Sequence, residues 1–317
     1  MRIHNVVVAG GGVLGSQIAY QTAFKGFHVT IWLRSEASIT RAQPKLEKLY
    51  HTYAAALDAM KPLCGSDSSM FPHGIVDSVS DLTEEKIELL KAQAKTAYEK
   101  IILTTSHEYA AKDADLVIEA VAEEPASKIA FYTQLAPLLP EHAILVTNSS
   151  TMLPSAFAGY TGRPDKYLAL HFANSIWSHN TAEVMGHDGT SAEAYDATVE
   201  FAKQISMIPL CLHKEQPGYI LNSLMIPLVI AGGTLYVNGV ADPETIDLTW
   251  RTGTGAIGGP FQILDVIGLT TAYNVIMLMP EAGDPASATG KIAADLKAHI
   301  DAGKTGVAAG EGYYKYR

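Results

Sequence analysis

Residues 10–15 read Gly-Gly-Gly-Val-Leu-Gly, between an apolar run at residues 3–9 and a stretch with helical apolar spacing at about 14–25. No other feature constrains the chain as much. In G-x-G-x-x-G spacing after a strand and before a helix, Gly10 permits the tight turn. Gly12 lets the backbone approach a pyrophosphate, and Gly15 lets the helix pack closely on the strand. The helix start at Val13 and Leu14 offers free N–H groups and partial positive charge to phosphates. Gly26 ends the helix, and residues 29–33 read as a second strand. The opening is a βαβ unit suited to a dinucleotide.

The end of the second strand selects the dinucleotide. An acid there would hydrogen-bond the adenosine ribose hydroxyls and choose NAD. Leu33 stands in that place, followed by Arg34 and Ser35. A guanidinium and a hydroxyl suit a 2′-phosphate. The pattern favours NADP, with NAD the alternative if Arg34 is a solvated surface residue.

The remaining chain alternates strand and helix. Residues 36–62 and 83–100 read as a helical excursion, with Thr83 as N-cap and Glu84 and Glu85 in the first turn. Strands are expected at 101–104, 116–120, 144–147, 168–172 and 209–212. This implies an α/β, Rossmann-type, mostly parallel sheet covered on both faces. Apolar helical patterns at 220–237, 243–253 and 259–278 then imply an all-helical C-terminal domain. The expected division is 1–214 and 215–317, with the excursion at about 36–100.

The 23 basic and 33 acidic residues give a net charge of −10, which argues against a nucleic-acid partner. No apolar run of about 18 residues is present, so no membrane span is expected. The start runs directly into a strand rather than toward a signal-peptide cleavage site. Cys64 and Cys211 read as unpaired thiols in a reducing cytoplasm. His171, His179 and His187 recur without a metal-ligand spacing, and no metal is expected.

Several spaced motifs carry a resemblance. Residues 115–123 read Asp-Leu-Val-Ile-Glu-Ala-Val-Ala-Glu, with Lys128 five residues beyond Glu123. Residues 147–151 read Thr-Asn-Ser-Ser-Thr and 170–174 read Leu-His-Phe-Ala-Asn. Glu183 lies twelve residues past His171. Gln216-Pro217-Gly218-Tyr219, Gly259-Pro260-Phe261, Asp265-x-x-Gly268-Leu269 and Gly310-x-Gly312-Tyr313-Tyr314 follow. In order and spacing the chain resembles the 3-hydroxyacyl-CoA dehydrogenase family, including 3-hydroxybutyryl-CoA dehydrogenases, over nearly its whole length.

The implied reaction moves a hydride between NAD(P) and C3 of a short-chain 3-hydroxyacyl-CoA. It needs a base for the hydroxyl proton. His171, at the C-terminal end of a strand, suits that role. Glu183 would orient it. Ser150 and Asn222 would donate to the reacting oxygen or the thioester carbonyl, although Asn222 equally reads as a helix cap. The resemblance implies Glu123, Lys128 and Asn148 around the ribose and nicotinamide. Arg41, Lys45, Lys48 and Lys61 could meet CoA phosphates or form a mixed solvated face.

The chain departs from the family around the substrate, at Ala173-Asn174-Ser175-Ile176-Trp177, Ser223, Trp250 and Gly258. Trp177 either shortens the acyl pocket or is a surface aromatic. Ser150-Thr151-Met152-Leu153-Pro154-Ser155 also resembles the gulonate dehydrogenase and lambda-crystallin branch, which implies a free hydroxy acid as the alternative substrate. A non-catalytic dinucleotide-binding protein is the third reading. The apolar C-terminal helices imply a homodimer through that domain.

Overall fold

The computed structural model describes residues 2–316. The chain divides into two compact units, one ending at Ile220 and the other beginning at Leu221. The division expected after residue 214 lies short of this seam. Residues 215–220 stay with the first unit because the Tyr219 hydroxyl bonds to Ser149 and the Ile220 N–H to Glu183.

The first unit runs β1 (Asn5–Ala9), α1 (Val13–Phe24), β2 (His28–Trp32), α2 (Glu36–Ala59), α3 (Glu84–Lys100), β3 (Ile102–Thr104), α4 (His107–Ala111) and β4 (Leu116–Glu119). It continues through α5 (Pro125–Leu135), β5 (Ile144–Thr147), β6 (Tyr167–Phe172), β7 (Thr181–Met185), α6 (Ala192–Gln204) and β8 (Ile208–Leu212). The strands form one eight-stranded sheet in the order β3-β2-β1-β4-β5-β6-β7-β8. Neighbours pair in parallel except β6 and β7, which are antiparallel.

Both faces of the sheet are apolar, which is why β1 reads as a continuous hydrophobic run. Successive side chains point to opposite faces. Val6 and Val8 join one core with Ile18, Leu46 and Tyr53. Val7 and Ala9 join the other with Phe131, Tyr132 and Leu135. The excursion packs on the first of these faces. Its α2 buries Ala42, Leu46, Leu49, Tyr53 and Leu57, a helical stripe. Thr83 caps α3 as expected, its side chain accepting from the Lys86 N–H at 3.1 Å.

The sequence pattern predicts no strand at 181–185. This segment is short, holds only two β-branched residues, and places a carboxylate at its centre, so its strand pattern is weak. The sheet supplies what local preference does not.

The second unit is helical: α7 (Leu221–Val237), α8 (Pro243–Thr254), α9 (Pro260–Ile267), α10 (Leu269–Ile276) and α11 (Ala288–Asp301). The pattern at 259–278 is two helices, because Gly268 turns the chain at φ 90. The apolar pattern predicts no helix at α11, where the Ser287 side chain caps the first turn. Several motif residues serve this unit's architecture. Buried Asp265 accepts from the Tyr313 and Tyr314 N–H groups at 2.8 and 2.9 Å. A Cβ on Gly312 would lie 2.0 Å from the Asp265 carboxylate. Buried Asp247 accepts from the first-turn N–H groups of Phe261 and Gln262, both at 2.9 Å, where a helix favours an anion.

Candidate active site

The glycine turn after β1 is shaped by what side chains would strike. A Cβ on Gly10, at φ 121, would lie 2.3 Å from the Ala120 carbonyl oxygen, and one on Gly15 would lie 2.2 Å from that of Gly10. Both glycines are therefore steric requirements for closing α1 onto β1 and β4. A Cβ on Gly12 would meet no other group within 4 Å among the described residues. Gly12 is also the N-cap of α1, and no side chain caps the first turn. Val13 is exposed and Leu14 half-buried. Open space over uncapped N–H groups fits a pyrophosphate.

At the end of β2, Leu33 is buried beneath this turn; a Cβ on Gly11 would lie 2.7 Å from its side chain. Arg34 is exposed. The Ser35 and Ser38 hydroxyls are 3.0 Å apart, and the Arg41 guanidinium donates to Ser38 at 2.9 Å. Lys45 reaches back from α2 to donate to the Gly11 carbonyl at 2.8 Å. Of the cations considered for CoA, Arg41 and Lys45 thus stand at the dinucleotide turn, Lys48 is exposed on α2, and Lys61 is paired with Asp58 and Glu88.

A second set of groups converges at the carboxyl ends of β4, β5 and β6. On β6 and β7, His171 and Glu183 are direct partners in the ladder. The His171 Nδ1 lies 2.9 Å from Glu183 Oε2, and both residues are buried. The other carboxylate oxygen accepts from the Ile220 N–H at 2.9 Å. A carboxylate only accepts, so it fixes the proton on Nδ1 and leaves Nε2 to face Ser150 Oγ at 3.2 Å. The Tyr219 ring stacks on the imidazole, centroids 4.4 Å apart.

Ser150 is held by a layered polar network. One Glu123 oxygen accepts from the Ser149 hydroxyl, the Ser150 N–H at 3.1 Å, and the Thr151 N–H and hydroxyl at 3.3 and 3.1 Å. The other lies 3.2 Å from Lys128 Nζ. Burial works against the Glu123 charge, but the Lys128 ammonium and these donors outweigh it and hold the carboxyl below the usual range. Lys128 is itself buried and donates to Glu119 at 2.7 Å. Fully buried Glu119 also accepts from the Tyr132 hydroxyl, the Thr147 hydroxyl and the Val121 N–H. Burial, first, and the Glu119 charge keep the Tyr132 phenol protonated as a donor. Asn148 continues β5, its Oδ1 accepting from the Phe172 N–H at 3.0 Å.

The structure therefore gathers His171, Glu183, Ser150, Glu123, Lys128 and Asn148 into one neighbourhood. Asn222 stands on the first turn of α7 in the second unit. Trp177 is half-buried against the excursion, its ring centroid 5.8 Å from Tyr53 and its carbonyl accepting from the Gly74 N–H. It is therefore no isolated surface aromatic.

The sequence motifs assign no role to Glu119 or Tyr219. Glu119 had a visible signal, a carboxylate inside an apolar strand. Tyr219 had none beyond its place after Pro217-Gly218. His179 and His187 lie in loops and bond to backbone carbonyls. Among the described residues no group of three or more His, Cys, Asp or Glu is arranged to hold a metal. Cys64 is half-buried and Cys211 exposed, and both are free thiols.

A glycine turn at the first βα junction of a parallel sheet, with polar groups gathered at the carboxyl ends of its strands, defines a dinucleotide-binding α/β protein. Comparison with known proteins narrows the class. Residues 5–66 and 72–216 match the NAD-binding domain of 3-hydroxyacyl-CoA dehydrogenase, and residues 218–316 match its C-terminal domain. The chain belongs to the 3-hydroxyacyl-CoA dehydrogenase family, whose members are oxidoreductases with a nicotinamide dinucleotide cofactor.

It is 28% identical to the mitochondrial hydroxyacyl-coenzyme A dehydrogenase of Sus scrofa, over 99% of this chain and 92% of that one. Among solved structures it resembles a diketoreductase described by substrate-directed dual catalysis of dicarbonyl compounds, at 46% identity and TM-score 0.83, with both chains fully covered. It also resembles the (S)-3-hydroxybutyryl-CoA dehydrogenase of Ralstonia eutropha, at 26% identity and TM-score 0.73, again with both chains fully covered.

Proposed function

We propose that this chain interconverts a 3-hydroxy and a 3-oxo carbonyl compound of short chain length, with a 3-hydroxyacyl-CoA as the substrate class, using His171 as acid and base. The observation that carries this is the line Glu183–His171–Ser150, with a carboxylate on one imidazole nitrogen and a hydroxyl beside the other.

The bound dinucleotide supplies the hydride acceptor or donor. In oxidation His171 Nε2 takes the proton from the substrate hydroxyl, and the charge that appears on the ring is met by Glu183. Ser150 Oγ, beside Nε2, donates to the reacting oxygen. In reduction the imidazolium returns its proton to the forming alkoxide. Asn222 is assigned the second donor, to the substrate carbonyl, by the resemblance.

Gly10, Gly12, Val13, Leu14 and Gly15 are assigned the pyrophosphate. Glu123, Lys128 and Asn148 are assigned the ribose and nicotinamide side. Their present partners mean that Glu123 and Lys128 also shape the Ser149–Thr151 turn. Arg34 and Ser35 are assigned a 2′-phosphate, so NADP is favoured over NAD. Support comes from buried Leu33 in the acid's place and from Arg41 and Lys45 nearby.

A second reading keeps the chemistry and removes CoA. The greater identity to the diketoreductase, a protein described with dicarbonyl compounds, favours a free dicarbonyl or hydroxy-acid substrate. One assay separates the two. Oxidation of NADPH and NADH is followed with acetoacetyl-CoA and with a CoA-free 3-oxo ester, each with the His171→Ala variant as control. Turnover of the thioester, lost in the control, supports the first reading. Turnover of the ester alone transfers the proposal to the second. Undiminished turnover by the control overturns the acid–base role.

We further propose a homodimer through the second unit, which exposes Leu224, Leu235 and Leu278. Light scattering at micromolar concentration showing only monomer would contradict it. Among the described residues no helix is long and apolar enough to cross a membrane. A cytoplasmic location remains the proposal.

A further inference from the structure

Three interactions converge on residues 219 and 220. The Tyr219 ring lies on the His171 imidazole with centroids 4.4 Å apart and planes 11° from parallel. Its hydroxyl donates to the Ser149 carbonyl at 2.7 Å, next to Ser150. The following N–H, of Ile220, donates to the Glu183 oxygen that His171 does not use. Tyr219 is buried and has φ 55, directly after Gly218 at φ 78. A bulky side chain in the left-handed region is an outlier that persists only where its surroundings over-determine it. Here that conformation lays the ring flat on the imidazole while the next N–H reaches Glu183.

We infer that Tyr219 is a positioning residue for His171, holding the imidazole in plane by stacking and favouring its cation through the ring face. The inference rests on the acid–base role proposed above. The face of a phenol ring attracts a cation, more so when both are out of water. The imidazolium formed during oxidation would thus lie against two stabilising groups, the Glu183 carboxylate at its edge and Tyr219 on its face. Burial pushes the Tyr219 phenol well up, helped by Tyr167, Glu123, Glu183 and Glu119, so its hydroxyl stays a donor to Ser149. The charged and titratable groups that act on Tyr219 are Tyr167 on β6, Glu123 before α5, Glu183 on β7 and Glu119 on β4; Lys128 on α5 pairs with Glu119 and Glu123. All are unchanged in variants of residue 219; Leu there removes both the ring and the hydroxyl bond to Ser149, whereas Phe removes the hydroxyl bond alone, so the pair isolates the ring.

The test compares Tyr219→Phe, which keeps the ring, with Tyr219→Leu, which removes it. The His171 Cε1–H proton is followed by NMR, its signal identified by its absence from His171→Gln. The ring-current displacement of that signal should persist in the Phe variant and vanish in the Leu variant. Without the ring the imidazole should bind a proton about 2- to 30-fold less tightly, moving the acid limb of the oxidation profile to lower pH. The Leu variant should also lose kcat with KM for the dinucleotide unchanged, and the Phe variant should recover most of that loss. An unmoved signal and an unmoved limb in the Leu variant overturn the inference.

If the Leu variant does not fold, phenylalanines of increasing fluorination at position 219 keep the shape and weaken the ring face. The limb should then move stepwise, and a constant limb is again the overturning result. The NMR readout needs no turnover. Activity surviving in His171→Gln would remove the acid–base role while leaving the stacking measurable, so the two failures are distinguishable.

Discussion

His171 and Glu183 face each other across the antiparallel step between β6 and β7, in register, with 2.9 Å between Nδ1 and Oε2. Two ladder strands, rather than loops, set their separation. Directly opposite side chains on such strands start about 5 Å apart at Cβ. A slip of one residue would turn Glu183 to the other face.

Replacing Glu183 with Gln keeps the shape and removes the charge proposed to meet the imidazolium. We expect kcat to fall about 10²- to 10⁴-fold with little change in the dinucleotide's affinity, the range for a disabled acid–base group. Steady-state kinetics beside a fluorescence titration with the reduced dinucleotide check it. Wild-type kcat would remove Glu183 from the mechanism.

Gly15→Ala places a methyl group 2.2 Å from the Gly10 carbonyl, a backbone atom that cannot step aside without opening the turn. Dinucleotide binding should be lost and the melting temperature lowered. Calorimetric titration and thermal melts with and without the dinucleotide read both. An unaltered affinity would mean that the turn is not the pyrophosphate cradle.

Lys128→Met removes the cation paired with fully buried Glu119. Removing one partner of a buried ion pair costs about 3–5 kcal/mol, because the remaining charge is uncompensated. Denaturant unfolding should show a loss of that order. A loss below about 1 kcal/mol would mean that water reaches Glu119 and that the network does not support the Ser149–Thr151 turn.

Glu123 gives the fold a pH dependence of known sign. Its carboxyl is held below the ordinary value against the effect of burial, mainly by Lys128 and then by donors in the Ser149–Thr151 turn. A lowered folded value means that the stabilisation is fully present above about pH 4.3, the unfolded value, and is lost as pH falls through the folded one. Glu123→Gln should remove that slope from melting temperatures measured across acid pH. A slope identical to wild type would assign it to other carboxylates.

Arg34→Ala tests the 2′-phosphate assignment. A hydrogen bond to a charged group is worth about 1.5–3 kcal/mol. The ratio of kcat/KM for NADPH over NADH should therefore fall by about 10-fold or more. An unchanged ratio would return Arg34 to the solvated surface and remove its support for NADP.

The fold was legible where local pattern and tertiary role agree. The apolar strands β1, β4, β5 and β6 are buried on both faces and read directly as such. The glycine turn read correctly because its spacing answers steric conflicts a few residues away, Gly15 against Gly10 among them. The motif around Pro217 and Gly218 was visible, yet its part in holding Tyr219 on His171 was not. Stacking joins residues 48 positions apart, and nothing in either sequence neighbourhood encodes it.

Taken alone, the sequence determined the family, the parallel sheet, the nucleotide turn and the residue types that acid–base chemistry requires. These rest on hydrophobic periodicity and short-range spacing, which a linear chain carries explicitly. Tertiary structure decided which groups meet. The segment 181–185 becomes a strand because β6 and β8 flank it, and that strand alone brings Glu183 to His171. Glu119, Lys128 and Glu123 acquire their roles in the same way. A buried charge persists only where distant donors converge on it, and that convergence belongs to the packed chain.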